Sequence, residues 1–116
     1  PYVARLLGTL DGLVHEAVQR NSIRMMQTCP LPEELHGRIT EAMFAIIADP
    51  RRSIAQRAFA ITVALRMAKT YPDLQHEFRM LLEDARRPAP GPAVRSRANK
   101  ALAEFKRPPV ERNSMR

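Results

Sequence analysis

Residues 39–69 constrain the fold most, because they place two long apolar segments on either side of an Asp-Pro break. The first segment has apolar residues at offsets of three and four, which is the spacing of one helix face: Ile39, Met43, Ile46 and Ile47. Pro50 ends this helix, since proline lacks the backbone N–H and disfavours helical geometry in the preceding residue. Ser53 can then cap a second helix, whose apolar stripe contains Ile54, Ala58, Ile61, Leu65 and Ala68. Two such helices cannot bury this surface alone, so the hairpin needs neighbours.

The rest of the chain predicts those neighbours, because proline pairs and apolar periodicity divide it into further helices. Six helices are expected, at about 2–13, 16–28, 33–48, 53–69, 73–85 and 93–106. In the second helix, the side chains expected to point inward are Val18, Ser22, Met25 and Met26. The proline-rich stretch 86–92 predicts a loop, and residues 107–116, which lack periodicity, predict a disordered tail. No segment has the pattern of a strand, so the sequence indicates an all-α domain.

The six helices form three pairs, at about 1–28, 33–69 and 73–106, which together predict one α-solenoid domain over residues 1–106. Aligning the second helices on Val18, Ile54 and Val94 gives separations of 36 and 40 residues. One column of the alignment is then small (Ser22, Ala58 and Ala98), and another is apolar (Met25, Ile61 and Ala101). Small residues at a fixed place let helices of adjacent pairs approach closely. This favours stacked repeats over a closed bundle.

The pattern of residues 39–69 resembles a HEAT repeat. It consists of an apolar helix, the pair Asp-Pro, and a second helix with Arg and Ala near its start. Val94–Leu102 is similar to the HEAT second-helix consensus, in which Val-Arg precedes Ala and then Ala-Leu. The first pair lacks the Asp-Pro turn, and the third has a proline-rich insertion. Over about residues 15–106 the chain resembles a group of bacterial HEAT-like proteins whose activity is uncharacterised. The resemblance implies a right-handed α-α superhelix of about three helical hairpins, acting as a binding scaffold.

The charge of the chain is unevenly distributed. Residues 1–50 contain four Arg and six Asp or Glu, net −2, and residues 51–116 contain fifteen Arg or Lys and six Asp or Glu, net +9. The candidate binding surface therefore consists of basic residues: Arg57, Arg86, Arg87, Arg95, Arg97 and Lys100. Three interpretations stay open for them: contacts with an acidic partner or nucleic acid, an ordinary solvated surface, or structural bonds within the repeats. The scarcity of aromatic residues argues against base stacking.

The residues that commonly carry catalysis form no catalytic pattern. His15, His36 and His76 lie in different repeats without metal-ligand spacing around them, and all three are expected at the surface. Cys29 follows a helix C-terminus, where the negative end of the dipole opposes thiolate formation. Paired carboxylates such as Glu33 and Glu34 are adjacent in a helix and so point apart. We therefore expect no catalytic residue, no cofactor and no metal site.

Several features bound the setting of the protein. The 116 residues contain one cysteine, which excludes an internal disulfide and favours the cytoplasm. No apolar run approaches the ~20 residues of a membrane span. The sequence begins Pro1-Tyr2-Val3 without an initiator Met, so a processed product or a piece of a longer solenoid is expected. The sequence predicts a non-enzymatic HEAT-like scaffold that binds a protein or peptide partner; the alternative is binding to the DNA backbone through the basic C-terminal half.

Overall fold

The computed structural model describes residues 2–10, 14–86 and 92–106, and within these ranges the chain is all-α. Six α-helices are present there: α1 (Tyr2–Gly8), α2 (Glu16–Met26), α3 (His36–Ala48), α4 (Ile54–Thr70), α5 (Gln75–Arg86) and α6 (Pro92–Lys106). One turn of 3₁₀ helix precedes α3 and another precedes α5, at Glu33–Leu35 and Pro72–Leu74. The prediction of six helices without strands is confirmed for the described residues.

The break between α3 and α4 forms as its sequence predicts. Ser53 is the N-cap of α4, and its Oγ accepts a hydrogen bond from the backbone N–H of Gln56 at 3.2 Å. Asp49 Oδ1 accepts a hydrogen bond from the backbone N–H of Arg51 at 2.9 Å, which closes the turn around Pro50. Each bond satisfies a backbone donor that the helix ladder cannot reach. The turn therefore reverses the chain and places α4 against α3.

The first helix is shorter than predicted. α1 ends at Gly8, and the N–H groups of Thr9 and Leu10 then bond to the carbonyls three residues before them. Glycine is a poor helix former, so the helix ends where the sequence first weakens it. Residues 11–13, which the prediction included in the helix, lie outside the described residues.

The helices pack as two layers. α2, α4 and α6 lie side by side in one layer, whereas α3 and α5 are neighbours in the other. The smallest dimension of the molecule, 19 Å, matches the thickness of two packed helices. The core between the layers contains the apolar stripe of α3 as predicted, namely Ile39, Met43, Ile46 and Ile47. This arrangement of stacked helical hairpins is an α-α superhelix.

The inward face of α2 was predicted correctly at Ser22 and Met26 and wrongly at Val18 and Met25. Val18 and Met25 are 45% and 41% exposed, whereas Ser22 and Met26 are buried as expected. The buried face also contains Ile23 and the polar residues Gln19 and Ser22. The prediction selected apolar residues, but a glutamine is buried here because α4 supplies its hydrogen-bond partner. The apolar column of the repeat alignment is thus wrong for Met25.

The register of the second helices is otherwise close to the prediction. The column of small residues is buried throughout: Ser22, Ala58 and Ala98. Ile54 was expected in the stripe of α4 but is 50% exposed, because it occupies the first position of the helix at the end of the layer. The proposed repeat boundaries, 1–28, 33–69 and 73–106, stay predictions. The predicted loop 86–92 lies mostly outside the described residues, and the predicted disordered tail 107–116 lies wholly outside them.

Polar side chains of α4 and of the turn before it join the first hairpin, which contains α1 and α2; we call this contact the first joint. Gln56 is 1% exposed, and its Nε2 donates to Gln19 Oε1 at 3.1 Å while its Oε1 accepts from Arg52 at 2.9 Å. Ser53 Oγ donates to Glu16 Oε2 at 2.7 Å. The buried amides are therefore hydrogen-bonded, as burial requires, and the bond between Gln56 and Gln19 crosses between hairpins.

Two arginines of the first joint donate to carbonyls at helix ends. Arg52 Nη2 donates to the carbonyl of Leu10 at 2.8 Å, just after α1. Arg66 Nη1 donates to the carbonyls of Met26 and Cys29, at 2.7 and 2.9 Å, just where α2 ends. The last carbonyls of a helix have no partner within it and carry the negative end of its dipole. These guanidinium groups therefore cap the helices of the preceding hairpin.

Aromatic rings join the second hairpin to the third; we call this contact the second joint. Phe44 of α3 is stacked on Phe78 of α5, with ring centroids 6.0 Å apart and an interplanar angle of 4°. Phe78 in turn meets Phe105 of α6 edge-on, at 5.9 Å and 83°. Phe78 is fully buried between these neighbours. These ring contacts stabilise the joint by burying apolar area, and polar bonds between the same hairpins lie elsewhere, for example between α6 and α4.

Candidate binding groove between α3 and α5

An open groove lies between α3 and α5, which belong to different hairpins. Its volume is about 770 Å³, compared with about 420 Å³ for a second groove between α4 and α6. The residues that line it come from α3, from the turn before α5 and from α5 itself: Glu33, His36, Gly37, Thr40, Glu41, Phe44, Tyr71, Asp73, Leu74 and Glu77. This volume is within the usual range of ligand sites in proteins.

A histidine and a tyrosine fix one end of the groove. His36 Nε2 lies 2.9 Å from the carbonyl of Leu31, and His36 Nδ1 lies 2.7 Å from Tyr71 Oη. A carbonyl can only accept, so Nε2 carries the proton in the neutral ring and Nδ1 accepts from the tyrosine hydroxyl. Sequence reasoning placed His36 at the surface, but it is half-buried and holds the start of α3 against the turn before α5. Both ring nitrogens have partners.

The floor of the groove is apolar and part of the second joint. Phe44 lines the groove and is stacked on Phe78, which is fully buried. Leu74 lines the groove from the other side. Gly37 leaves the groove open along α3, because a Cβ added at this position meets no atom within 4 Å. The groove is therefore a depression whose floor is held by packing against the buried core.

The rim of the groove is acidic. Glu33, Glu41, Asp73 and Glu77 are all exposed at its edge, in a protein whose net charge is +7. The ion pairs within the described ranges involve other carboxylates: Glu16, Asp49, Glu83 and Glu104. The rim carboxylates therefore concentrate negative charge along the groove, outside the ion pairs of the described ranges.

The two arginines at equivalent repeat positions are both bonded within the protein. Arg57 donates through Nε and Nη2 to the carbonyl of Ile47, at 3.2 and 2.9 Å, and so caps the end of α3. Arg97 Nη1 donates to the carbonyl of Ala58 at 3.2 Å, and the guanidinium carbon of Arg97 lies 5.5 Å from the ring centroid of Phe59. Sequence analysis included both in the candidate surface and also left a structural role open. Their geometry matches the structural role.

The other predicted basic residues are not brought together into one surface. Arg86 pairs with Glu83 at 3.1 Å and donates to Asn99 at 3.0 Å. Lys100 is exposed and lines the groove between α4 and α6 with Arg97, while Arg95 is exposed on α6. Arg57 instead lines a separate cavity beside Leu81 and Asp84, and Arg87 lies outside the described residues. The predicted set thus includes residues that line two different cavities.

The side chains capable of catalysis are also separated. His15 Nδ1 accepts from the backbone N–H of Ala17 at 3.0 Å and so caps α2, and His76 is exposed on α5. Cys29 is half-buried after the end of α2. No group of three His, Cys, Asp or Glu side chains within the described ranges could hold a metal ion. None of the described helices is long and apolar enough to cross a membrane.

Within the described ranges, two carboxyl groups have displaced pKa values, and they lie at the turn between α3 and α4 and at its contact with α2. The pKa of Glu16 is lowered mainly by the hydrogen bond from Ser53, with a smaller effect of nearby Arg20. The pKa of Asp49 is lowered mainly by hydrogen bonds from the backbone and side chain of Arg51. Bonds to the ionised form stabilise it, which is why both shifts are downward. Asp49 therefore stabilises the turn between α3 and α4, and Glu16 stabilises the first joint.

The groove between α3 and α5 was missed by the sequence analysis, although one signal for it exists. Glu33 and Asp73 both stand in the first turn of the first helix of a pair, separated by the same 40 residues as Ile54 and Val94. Acidic residues at equivalent places in stacked repeats must lie on the same side of the stack. Comparing first helices as well as second helices would therefore have indicated an acidic side.

Comparison with known proteins identifies the family. A family model described as a HEAT repeat domain matches residues 4–105, which is most of the 116-residue chain. Comparisons with curated proteins and with solved structures gave no match. HEAT-repeat domains commonly mediate protein interactions and are typically non-enzymatic. With its stacked helical hairpins and the Asp-Pro turn between α3 and α4, the chain belongs to the HEAT-repeat family.

Proposed function

We propose that this chain is a non-enzymatic scaffold that binds a protein or peptide partner. The observation that carries the proposal is the open groove of about 770 Å³ between α3 and α5, which has an apolar floor and a charged rim. Such a surface provides both the apolar anchor and the polar edge that protein interfaces require. The common role of HEAT-repeat domains in protein interactions supports it. The single cysteine supports a cytoplasmic setting.

The separation of the potential catalytic groups favours a scaffold over an enzyme. General acid–base and nucleophilic catalysis both need two or more side chains within hydrogen-bond reach of one reacting atom. His15 and His36 use their ring nitrogens in bonds that hold helix starts. These bonds give both histidines a structural role that does not involve catalysis.

Binding to the DNA backbone is the second function that the charge of the chain suggests. Phosphate contacts need exposed cations on one surface. Of the basic residues selected from sequence, Arg57 and Arg97 are bonded to carbonyls and Arg86 to a carboxylate, while Arg95 and Lys100 are exposed. Two exposed cations are few for a surface that binds phosphates, and we therefore favour a protein partner.

Capture of partners from the native cell extract tests the proposal when it is combined with direct DNA binding. We expect the full chain to retain a protein partner after nuclease treatment, and the retained partner to bind again as a purified protein. Fluorescence anisotropy with a labelled DNA duplex at low salt should show only the weak affinity of a basic protein. Lys100→Glu should then reduce duplex binding no more than Arg5→Glu does. Arg5 is an exposed residue of α1, and its substitution makes the same change in charge.

The opposite result would favour the DNA function. Captured material that disappears on nuclease treatment contradicts the proposal. So does tight duplex binding whose dependence on salt corresponds to several phosphate contacts, at a log–log slope of about −0.9 for each. A loss of duplex binding in Lys100→Glu that is much larger than in Arg5→Glu would locate the contact on α6.

A further inference from the structure

The groove between α3 and α5 has a charge opposite to that of the protein as a whole. Its rim consists of Glu33, Glu41, Asp73 and Glu77, and within the described ranges none of the four is in an ion pair. Like charges close together repel, and a partner that brings positive charge removes this repulsion. The rim therefore selects cations and disfavours the acidic partners that a basic protein otherwise attracts.

The floor of the same groove excludes a partner that is only a cation. Phe44 and Leu74 present apolar surface between the carboxylates, and Phe44 is held in place by its stacking on Phe78. Apolar surface of this kind is stabilised when an apolar side chain covers it. No three of the carboxylates are close enough to hold a metal ion within the described part of the chain. The separation of the charges instead suits a ligand that carries several cations along its length.

We propose that this groove binds a basic segment of a partner protein, in which Arg or Lys side chains meet the rim and an apolar side chain covers Phe44 and Leu74. The proposal rests on the proposed scaffold function and names the chemistry of the partner. A volume of about 770 Å³ accommodates a few residues of such a segment. The preformed walls reduce the ordering that binding requires, because His36 and Tyr71 already hold the end of the groove.

Two variants of the full chain separate the roles of charge and space. Glu41→Gln with Glu77→Gln removes two rim charges from exposed positions. Gly37→Phe fills the groove without a change in charge, since a Cβ at Gly37 meets no atom within 4 Å. The matched controls are Glu34→Gln, an exposed carboxylate outside the groove, and Gly8→Phe, an open glycine on α1. Thermal unfolding followed by circular dichroism verifies that every variant is folded.

The probe is a fluorescein-labelled peptide in which Arg and Leu alternate, with binding measured by fluorescence anisotropy. We expect saturable binding to the wild-type chain and no binding of the same peptide with Glu in place of Arg. Each rim carboxylate removed should weaken binding about two- to fivefold, the range of an exposed ion pair. Gly37→Phe should abolish binding, whereas both controls should bind as the wild type does. A peptide in which Arg and Ser alternate should bind more weakly, because it lacks the apolar contact.

Three results would overturn the proposal. The Arg-Leu peptide could fail to bind the wild-type chain, or it could bind Gly37→Phe and the rim variant as well as the controls. It could also bind only after Arg107, Arg112 and Arg116 are replaced by Gln, in which case the chain's own C-terminal segment is the occupant. If the captured native partner survives nuclease treatment and still binds the rim variant, the scaffold function stands and only this site is wrong. If nuclease removes all captured material, the scaffold function itself fails.

Discussion

The two joints of this molecule hold neighbouring hairpins together by different means. In the first joint, Gln56 and Gln19 are buried and bonded to each other, and Arg66 donates to carbonyls at the end of α2. In the second joint, the rings of Phe44, Phe78 and Phe105 are in contact. Polar bonds are directional, so they fix how one helix is placed along another. Contacts between apolar rings tolerate small shifts but remove much more area from water.

This difference leads to an expectation about stability. A hydrogen bond contributes about 0.5–1.5 kcal/mol net, because both groups were bonded to water before folding. Complete burial of a phenylalanine side chain contributes about 1.5–3 kcal/mol, and removing it also leaves a cavity. We therefore expect the second joint to contribute more to the free energy of unfolding. We expect the first joint to fix the register of α2 against α4.

The largest effect should come from Phe78→Ala in the second joint. Phe78 is fully buried between Phe44 and Phe105, so the substitution should lower the free energy of unfolding by about 3–5 kcal/mol. Urea denaturation measures this loss. Met80→Ala is the control on the same helix, and its 55% exposed side chain should change stability by no more than about 0.5 kcal/mol. A smaller loss in Phe78→Ala than in the first-joint variant below would reverse the comparison.

Arg66→Met tests the first joint directly. The substitution leaves the carbonyls of Met26 and Cys29 without their charged donor, so stability should fall by about 1.5–3 kcal/mol. Arg95→Met on α6 removes the same charge from an exposed side chain and should be nearly neutral. Equal effects of the two variants in urea denaturation would mean that the bonds of Arg66 contribute nothing beyond its charge.

Ala58→Leu tests α4, the helix that packs against both α2 and α6. Ala58 is buried in the column of small residues, and a leucine there should overpack the interface and cost about 1–3 kcal/mol. Ala103→Leu at an exposed position of α6 is the matched control. A neutral result for Ala58→Leu in thermal unfolding would show that close approach of the second helices does not depend on this column.

The smallest effect should be on the pH dependence of the free energy of unfolding, through Glu16 of the first joint. The pKa of Glu16 is lower in the folded state than in the unfolded chain, chiefly because Ser53 donates to the ionised carboxylate. This contribution to stability is therefore present above the unfolded pKa and is lost as the pH falls through the folded pKa. We expect Glu16→Gln to remove this part of the acid sensitivity while leaving the rest of the profile unchanged.

Ser53→Ala provides the control for the pH experiment. It removes the main cause of the shift, so it should reduce the same acid sensitivity. It also removes the N-cap of α4, which should lower stability by about 0.5–2 kcal/mol at every pH. The measurement is the free energy of unfolding of each variant as a function of pH. If both variants show the same pH dependence as the wild type throughout the acidic range, the bond between Ser53 and Glu16 has no energetic role.

The helices could be predicted from the sequence because their limits are set by local chemistry. Pro50 and Ser53 specify the turn between α3 and α4 without reference to any other part of the chain. The inward face of α2 could not be predicted in this way. Gln19 is buried because Gln56 bonds to it from 37 residues away, whereas apolar Val18 is exposed. Hydrophobic periodicity cannot identify a buried polar residue whose partner is distant in the sequence.

The candidate groove could not be predicted for a related reason. Its rim joins Glu41 of α3 to Glu77 of α5, and only the packing of these two helices brings the carboxylates together. The basic residues chosen instead, such as Arg57 and Arg97, were selected by net charge. Net charge does not distinguish a side chain that faces solvent from one that caps a neighbouring helix.

The bonds from Arg66 to Met26 and Cys29 limit how this array could be rearranged during evolution. Solenoids are often treated as modular, since each repeat contacts only its neighbours. Arg66 of α4 donates to carbonyls at and just after the end of α2, so the first hairpin depends on the second for these bonds. Duplication or recombination between these two hairpins would separate the guanidinium from the carbonyls that it serves. We expect recombination to preserve the fold only when the first and second hairpins are transferred as one segment.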